Sequence, residues 1–581
     1  MSVRSVVIHG HFYQPPREDP WLNEVAAEPS AAPFHDWNQR IEQECYRAVV
    51  AARLYAPDGR IAQIVNTLAS ISFNFGPTLL EWLERQAPST YAAVLEADRL
   101  SREQHGGHGN AIAMPYHHAI LPLSSRRDKV TEVRWGIADF RRRFGRDPEG
   151  MWLPETAVDP ETLDVLAAEG IRFTILAPHQ VEHAPPAGLP GCYRTPGGRS
   201  MALCVYDGPI SHDVAFGPLL KDAAAWVERL LAPAKGKSAP RLVAVATDGE
   251  TYGHHHRFGE VALAWLLQDL ERRSGVQVEN FAAFLARHTP RHEVKLVAPT
   301  SWSCAHGVER WRADCGCRMA PERPTQQRWR APLREALDWL AGELHACFER
   351  EGGELFRDAW AARDAYGAVV GSDETTIARF VAEQMRRPHD AARGVRAREL
   401  LDLERNALRM FTSCGWFFDD IAGLESVQIL RYAARAIELA GTDAPRLEAG
   451  VLDRLARAES NEPGAGTGRD VYLSRVKRRV PVDASRSDWD TAGPGGDAAR
   501  ELLGAVMLLE HDHSSRAIAV VTELADRVQR DGSPVPFDAQ TAFYRIRAAS
   551  PPDWAAQLAP VAWRLGFADG DGVEKGEGGD H

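Results

Sequence analysis

No stretch of this sequence approaches the roughly 20 consecutive apolar residues that a membrane-spanning helix needs. The opening residues hold only Val6 to Ile8 as an apolar run, too short for the core of a secretory signal, so the expectation is a cytoplasmic protein with no membrane partner. Cysteine is scarce, 8 in 581 residues and scattered, which excludes a disulfide framework and fits a reducing compartment. Positive charge is in deficit as well. The 68 Lys and Arg stand against 80 Asp and Glu, a net −12 that disfavours a nucleic-acid partner or an anionic surface and leaves a neutral substrate unopposed. No 3.5-residue repeat persists long enough for a coiled coil. What remains is a globular composition, 44% hydrophobic with 16 Trp, in a chain long enough for roughly two to four units.

The most informative stretch is RLVAVATDGETYGHHH, from Arg241 to His256. Leu242 to Ala246 reads as a buried parallel strand, and Asp248, Glu250 and His254 follow where it stops. Ligands bind at the carboxyl ends of strands in α/β folds, so these are candidate site residues rather than a solvated turn. A second carboxylate arises the same way in GMWLPETAVDPETLDVLAAEG: Met151 to Leu153 form a short strand with Trp152 at its centre, Pro154 ends it, and Glu155 sits at its tip. Pro160 then opens a helix that Gly170 ends. Val6 to Ile8 is a third short strand, ending on His9, His11 and Gln14. Two His at i and i+2 face the same way, placed to ligate a metal, to hydrogen-bond a substrate or simply to bond backbone. His117 and His118 lie between prolines, at a strand end or tight loop.

Strand and helix alternate through residue 300, the pattern of a parallel sheet or barrel, with Gly197-Gly198 as the turn of a small hairpin and a late strand of the same layer from Val294. The loop after it, TSWSCAHGVERWRADCGC, is expected on the face that carries Glu155 and Asp248; its Trp302 and Trp311, with Trp329 beyond, are platforms for a ligand or core. Cys304, His306, Cys315 and Cys317 in this loop are four soft ligands, the number a structural zinc takes, although Cys-x-Cys is tighter than the usual spacing. The expectation is no metal and no cofactor. From Pro332 the pattern turns to long helices at about 332–350, 373–386, 396–411 and 425–440. Gly-rich breaks at 461–468 and 492–496 bound a poorly ordered stretch, and helices resume near 498.

HGHFYQP, YHHAILP, GMWLPE and TDGETYGHH, in that order, resemble the ordered motifs of glycoside hydrolase family 57, and MFTSCGWFFDD is similar to the fifth motif of its branching enzymes. The resemblance covers about residues 3–440 and points to an uncharacterised branch with a C-terminal domain of unknown function. It implies a distorted (β/α)7 barrel followed by a C-terminal helical bundle closing one side of the cleft, and an α-glucan substrate. It also implies a retaining double displacement, with Glu155 as nucleophile and Asp248 as general acid/base. His11 and His118 would bond sugar hydroxyls, Trp152 and Trp416 would shape the subsite, and Glu250 would orient its neighbours. The resulting division is a catalytic region at 1–325, the bundle at 326–460, a mainly helical extension at 461–566 and a disordered tail at 567–581. Two alternatives stay open: a metal-dependent barrel enzyme of the α-mannosidase or polysaccharide deacetylase type, and a non-catalytic glucan-binding protein, which would lack one of the two carboxylates.

Overall fold

The computed structural model of the chain describes residues 4–232, 242–387, 390–477 and 497–568. Nearly all of the loop expected at 232–240, the Gly-rich break at 492–496 and most of the tail expected at 567–581 lie outside the described residues. The strand Arg4–Phe12 is the hub. It pairs in parallel with Leu242–Asp248 along one edge, and with Ser72–Phe75 and, nearer its start, Val276–Val278. Val6, Val7 and Ile8 are wholly buried, as a strand covered on both faces requires. This strand is longer than the apolar run alone indicated, because His9 and His11 find polar partners inside and do not end it.

Parallel bridges carry the layer onward from Phe73 to Ala111, from Ala113 to Met151 and from Gly150 to Phe173, and Phe173–Leu176 then pairs with Ser200–Val205. Between Ser200–Val205 and Leu242–Asp248 there is no ladder among the described residues, and the sheet does not close into a barrel. One backbone bond spans the gap, Asp207 N to Ala244 O at 2.7 Å. The reason is local: Asp207 caps the helix Gly208–Ala215, and the first turn of that helix presents Ser211, whose Oγ accepts from Ala246 N at 3.1 Å where a strand carbonyl would otherwise bond. The late strand expected from Val294 is also different. Lys295–Leu296 pairs antiparallel with Val181–Glu182, outside the parallel layer.

The helices Arg330–Leu355, Glu374–Gln384, Ala391–Arg409 and Leu424–Leu439 fall within a few residues of their expected bounds. Leu333, Ala336, Leu337, Leu340, Ala341, Leu344 and Phe348 line the buried stripe of the first, at the spacing of one helical face. Their core also takes in Tyr116, Ile120, Trp135 and Ala157, so the bundle and the sheet region share apolar contacts. Helices from Asp497 to Arg564 build a separate core that receives Ile61; there Arg53 lies over the Phe537 ring at 3.1 Å and donates to its carbonyl at 3.0 Å. No helix among the described residues is long and apolar enough to cross a membrane.

Gly136, in the helix Arg126–Phe144, lies against the chain that leads to His118: a Cβ there would meet Met114 O at 2.0 Å. Gly136→Ala is expected to cost about 1–3 kcal/mol through overpacking, read as a lower urea midpoint with unchanged slope.

Candidate active site

Register brings the first motif to the last. His11 stands opposite Asp248 on one side and Asn74 on the other, so both neighbouring strands deliver polar groups to one end of the sheet. Glu155 reaches this end by a strained route. Glu155 and the β-branched Thr156 both adopt left-handed backbone, φ 58° and 49°, and His118 does the same at 57°. Such residues cost of order 1–3 kcal/mol each and persist where their surroundings over-determine them. Here Thr156 Oγ1 donates to Gln180 Oε1 at 2.9 Å, Gln180 Nε2 donates back to Thr156 O at 2.8 Å, and Trp302 N bonds Glu155 O at 2.9 Å.

The Glu155 carboxyl receives Ser303 Oγ at 2.5 Å and Trp302 Nε1 at 3.0 Å, both on Oε2. Oε1 has no protein hydrogen bond among the described residues. Burial raises the Glu155 pKa, but Ser303, the Arg310 guanidinium and Trp302 each oppose the rise and favour the anion. Asp248 has no such support. Although open to solvent at the strand tip, it is enclosed by protein on its other sides, and desolvation followed by the charges of Glu250 and Glu155 lifts it well above the usual carboxylate range. Glu250, pushed to about 7 by burial, accepts from Tyr46 Oη at 2.5 Å and Tyr13 N at 3.0 Å, which fixes the chain just after the first strand.

A stack of rings makes the floor. Trp152, wholly buried, lies 5.0 Å from the His9 ring and 4.9 Å from His11, with Trp302 edge-on at 5.0 Å. His118 stacks on Tyr13 at 3.7 Å, bonds Ser413 Oγ through Nδ1 at 2.6 Å and meets His11 Nε2 at 3.2 Å. Desolvation pulls His9 and His11 down to about 3, so the imidazoles in this floor are neutral.

Other expected site residues lie elsewhere. Trp416 is buried in the helical core, with Nε1 on Arg330 O at 3.3 Å; it cannot shape a subsite, and from the same stretch Ser413 and Cys414 reach His118 and Tyr13 instead. Gln14 turns back to Tyr13 O at 3.1 Å and Arg17 at 3.3 Å. His254 bonds Glu44 at 2.5 Å beside Trp37, and Trp311 and Trp329 are core. Sequence reasoning passed over Asn74, Ser303, Tyr13 and Arg310. Only Ser303, directly after Trp302, carried a local signal. Among the described residues the one converging set of metal-ligand atoms is Cys304, His306, Cys315 and Cys317, which includes neither carboxylate, so the metal-dependent alternative has no ligand set at this site.

Two carboxyls at strand ends in unlike surroundings, above neutral rings, are the equipment of a glycoside-cleaving or glycosyl-transferring enzyme. Residues 7–297 match the model of glycosyl hydrolase family 57, half of the sequence, and the chain belongs to that family; residues 326–485 match a domain of unknown function, DUF3536. Among curated proteins it is similar to the 4-alpha-glucanotransferase of Thermococcus litoralis, 23% identical over 238 residues, 39% of this chain and 34% of that protein. It is also similar to alpha-amylase 1 of Dictyoglomus thermophilum, 26% identical over 106 residues, 18% and 15% of the two chains. These matches span about a third or less of the relatives' own length. Among solved structures, the exo-type maltose-forming amylase of Pyrococcus sp. ST04 shares the fold, with a TM-score of 0.62 at 16% identity over 81% of this chain and 88% of that one.

Proposed function

We propose that the protein is a retaining hydrolase or transglycosylase of α-1,4-linked glucans, with Glu155 as nucleophile and Asp248 as general acid/base. The observation that carries this is the unlike support of the two carboxyls. Ser303, Arg310 and Trp302 each oppose the rise that burial gives the Glu155 pKa, while the charges of Glu250 and Glu155 add to the rise that burial gives Asp248, which suits Asp248 to the proton-donating role. Glu155 Oε1 attacks the anomeric carbon as Asp248 protonates the departing glycosidic oxygen. Water or a sugar hydroxyl then gives its proton to Asp248 and displaces Glu155, so configuration is retained. His11 and His118 offer neutral nitrogens to sugar hydroxyls, which would take the place of their mutual contact. The helical bundle supplies one wall of the cleft through Ser413 and Cys414, the latter against Tyr13 Oη at 3.9 Å. A distorted (β/α)7 barrel, left open between Ser200–Val205 and Leu242–Asp248, is the architecture to which these parallel segments correspond.

The test is incubation with maltooligosaccharides and amylose, with proton NMR of the first product anomer and chromatography of the chain lengths. Initial α-anomers from the wild type support the reading; initial β-anomers, or no product from either glucan, sink it. The ladder separates transfer from hydrolysis. Ser303→Ala removes a bond that favours the Glu155 anion, so the Glu155 pKa is expected to rise and the acidic limb of kcat/KM against pH to move to higher pH.

A further inference from the structure

The loop that supplies Trp302 and Ser303 to Glu155 continues directly into Cys304. Gly307, at φ +83°, turns this segment back so that its N–H bonds Cys304 O at 3.2 Å, and Ser301 Oγ donates to Gly307 O at 2.7 Å. The turn delivers His306 beside Cys304, and Cys315 and Cys317 return to meet them. Cys304 Sγ lies 3.9 Å from Cys315 Sγ and 3.9 Å from Cys317 Sγ, and Cys317 Sγ lies 3.6 Å from His306 Nδ1. The four ligand atoms all fall within 4.8 Å of one another. A tetrahedral zinc, with bonds of about 2.3 Å to sulfur and 2.0–2.1 Å to nitrogen, sets sulfur–sulfur edges of about 3.8 Å and sulfur–nitrogen edges of about 3.6 Å. The 3.9, 3.9 and 3.6 Å separations match these edges and the others are no longer than 4.8 Å, whereas a disulfide would bring two sulfurs to about 2.05 Å and leave the third thiol and the imidazole unused.

Charge points the same way. Arg330 is fully buried, donates to Cys317 O at 2.8 Å and lies 4.0 Å from Cys315 Sγ, yet has no carboxylate within ion-pair distance among the described residues. A buried cation without a counter-charge is costly. Three thiolates, a neutral imidazole and a divalent ion carry one net negative charge, and they would sit directly beside this guanidinium. With four protein ligands the site is closed, as structural zinc sites are, and the soft ligand set favours zinc over the hard divalent cations.

We propose that Cys304, His306, Cys315 and Cys317 bind one zinc ion, which pins the loop holding Trp302 and Ser303 against Glu155. Binding itself is independent of the glucanase reading; only the benefit to Glu155 rests on it. The ion takes no part in bond breaking. Its effect is to convert a loop with little regular structure into a fixed support beside a strained residue.

The test is metal analysis of the full chain, produced with added zinc and purified without chelator, followed by cobalt substitution. About one zinc per chain, and visible bands of tetrahedral thiolate-bound cobalt, are expected. A Cys315→Ser/Cys317→Ser double variant, altered at two half-buried positions, is expected to lose at least nine-tenths of the metal, while Cys192→Ser, on the strand Gly191–Arg194 and outside the four-ligand group, keeps it. Amide exchange at Trp302 and Ser303 is expected to speed up at least tenfold in metal-free protein. Zinc below one in ten chains with no tetrahedral cobalt spectrum, iron in place of zinc, full zinc in the double variant, or a disulfide among these cysteines by mass spectrometry would each overturn the site. Unchanged exchange on metal removal would overturn the pinning. These readouts need no substrate, so their failure is distinct from a wrong glucan assignment.

Discussion

Asp248→Asn is expected to lower kcat/KM on maltooligosaccharides by roughly 10²–10⁴-fold, the range for loss of a general acid, while Glu155→Gln removes the covalent route and falls to background. The pair can be told apart chemically. A glucoside with an acidic phenol as leaving group needs no proton, so Asp248→Asn should still form the glycosyl-enzyme from it, and Glu155→Gln should not. Added azide should intercept that intermediate in Asp248→Asn to give the α-glycosyl azide. A β-azide would instead mean direct displacement and would reverse the roles. The pH dependence follows from the same surroundings. On the proposed roles Glu155 acts ionised, so rate falls as pH drops through its raised pKa, and Asp248 acts protonated, so rate falls as pH climbs through its own raised pKa. Asp248→Asn should erase the alkaline limb alone.

The largest stability effect is expected where the bundle meets the sheet region. Arg363 and Glu404 are both fully buried and joined at 2.7 Å; Arg363 also reaches Asp128 at 2.9 Å and Thr131 at 2.7 Å, and His345 bridges Glu404 at 3.0 Å to Asp128 at 3.3 Å. Asp128 belongs to the helix Arg126–Phe144 of the sheet region, the other charged groups to the bundle. Glu404→Ala removes the fully buried partner of Arg363 and His345, leaves both cations to the partly exposed Asp128 alone, and should cost about 3–5 kcal/mol. Glu404→Met/Arg363→Met, which removes both charges, should recover much of that loss. Equal loss in single and double variants would show that packing, not charge, holds the seam.

The cluster also sets a pH window. Its carboxylates hold His345 up at about 10 against burial, so that contribution is complete below about 6.5 and is lost as pH rises toward 10. Asp128 and Glu404 are depressed by the same partners, so their contribution is present above about 4 and is lost as pH falls through their lowered values. Calorimetric scans of the wild type should show Tm declining from pH 6.5 toward 10, with a shallower decline in His345→Gln.

Periodicity and punctuation were enough to locate the helices of the bundle, because an apolar stripe at helical spacing is a property of neighbours in sequence. The same holds for the strand tips, where short apolar runs stop at Glu155 and Asp248. It fails for Trp416, since an aromatic in a motif reads alike whether it faces a sugar or a helical core; only the packing against Phe411 and Arg330 distinguishes them. It fails also at the open side of the sheet, where one serine on a helix takes the hydrogen bond that a strand would have taken.

The sequence by itself therefore determined the helices of the bundle, the strand that ends at Asp248 and the two candidate carboxyls, all carried by local pattern. Tertiary structure alone decided that the two carboxyls have unlike surroundings. Ser303, Trp302 and Arg310 arrive at Glu155 from about 150 residues away in the chain, while Asp248 gathers only like charge. A pKa depends on the groups around it in space, and spacing along the chain does not encode those groups.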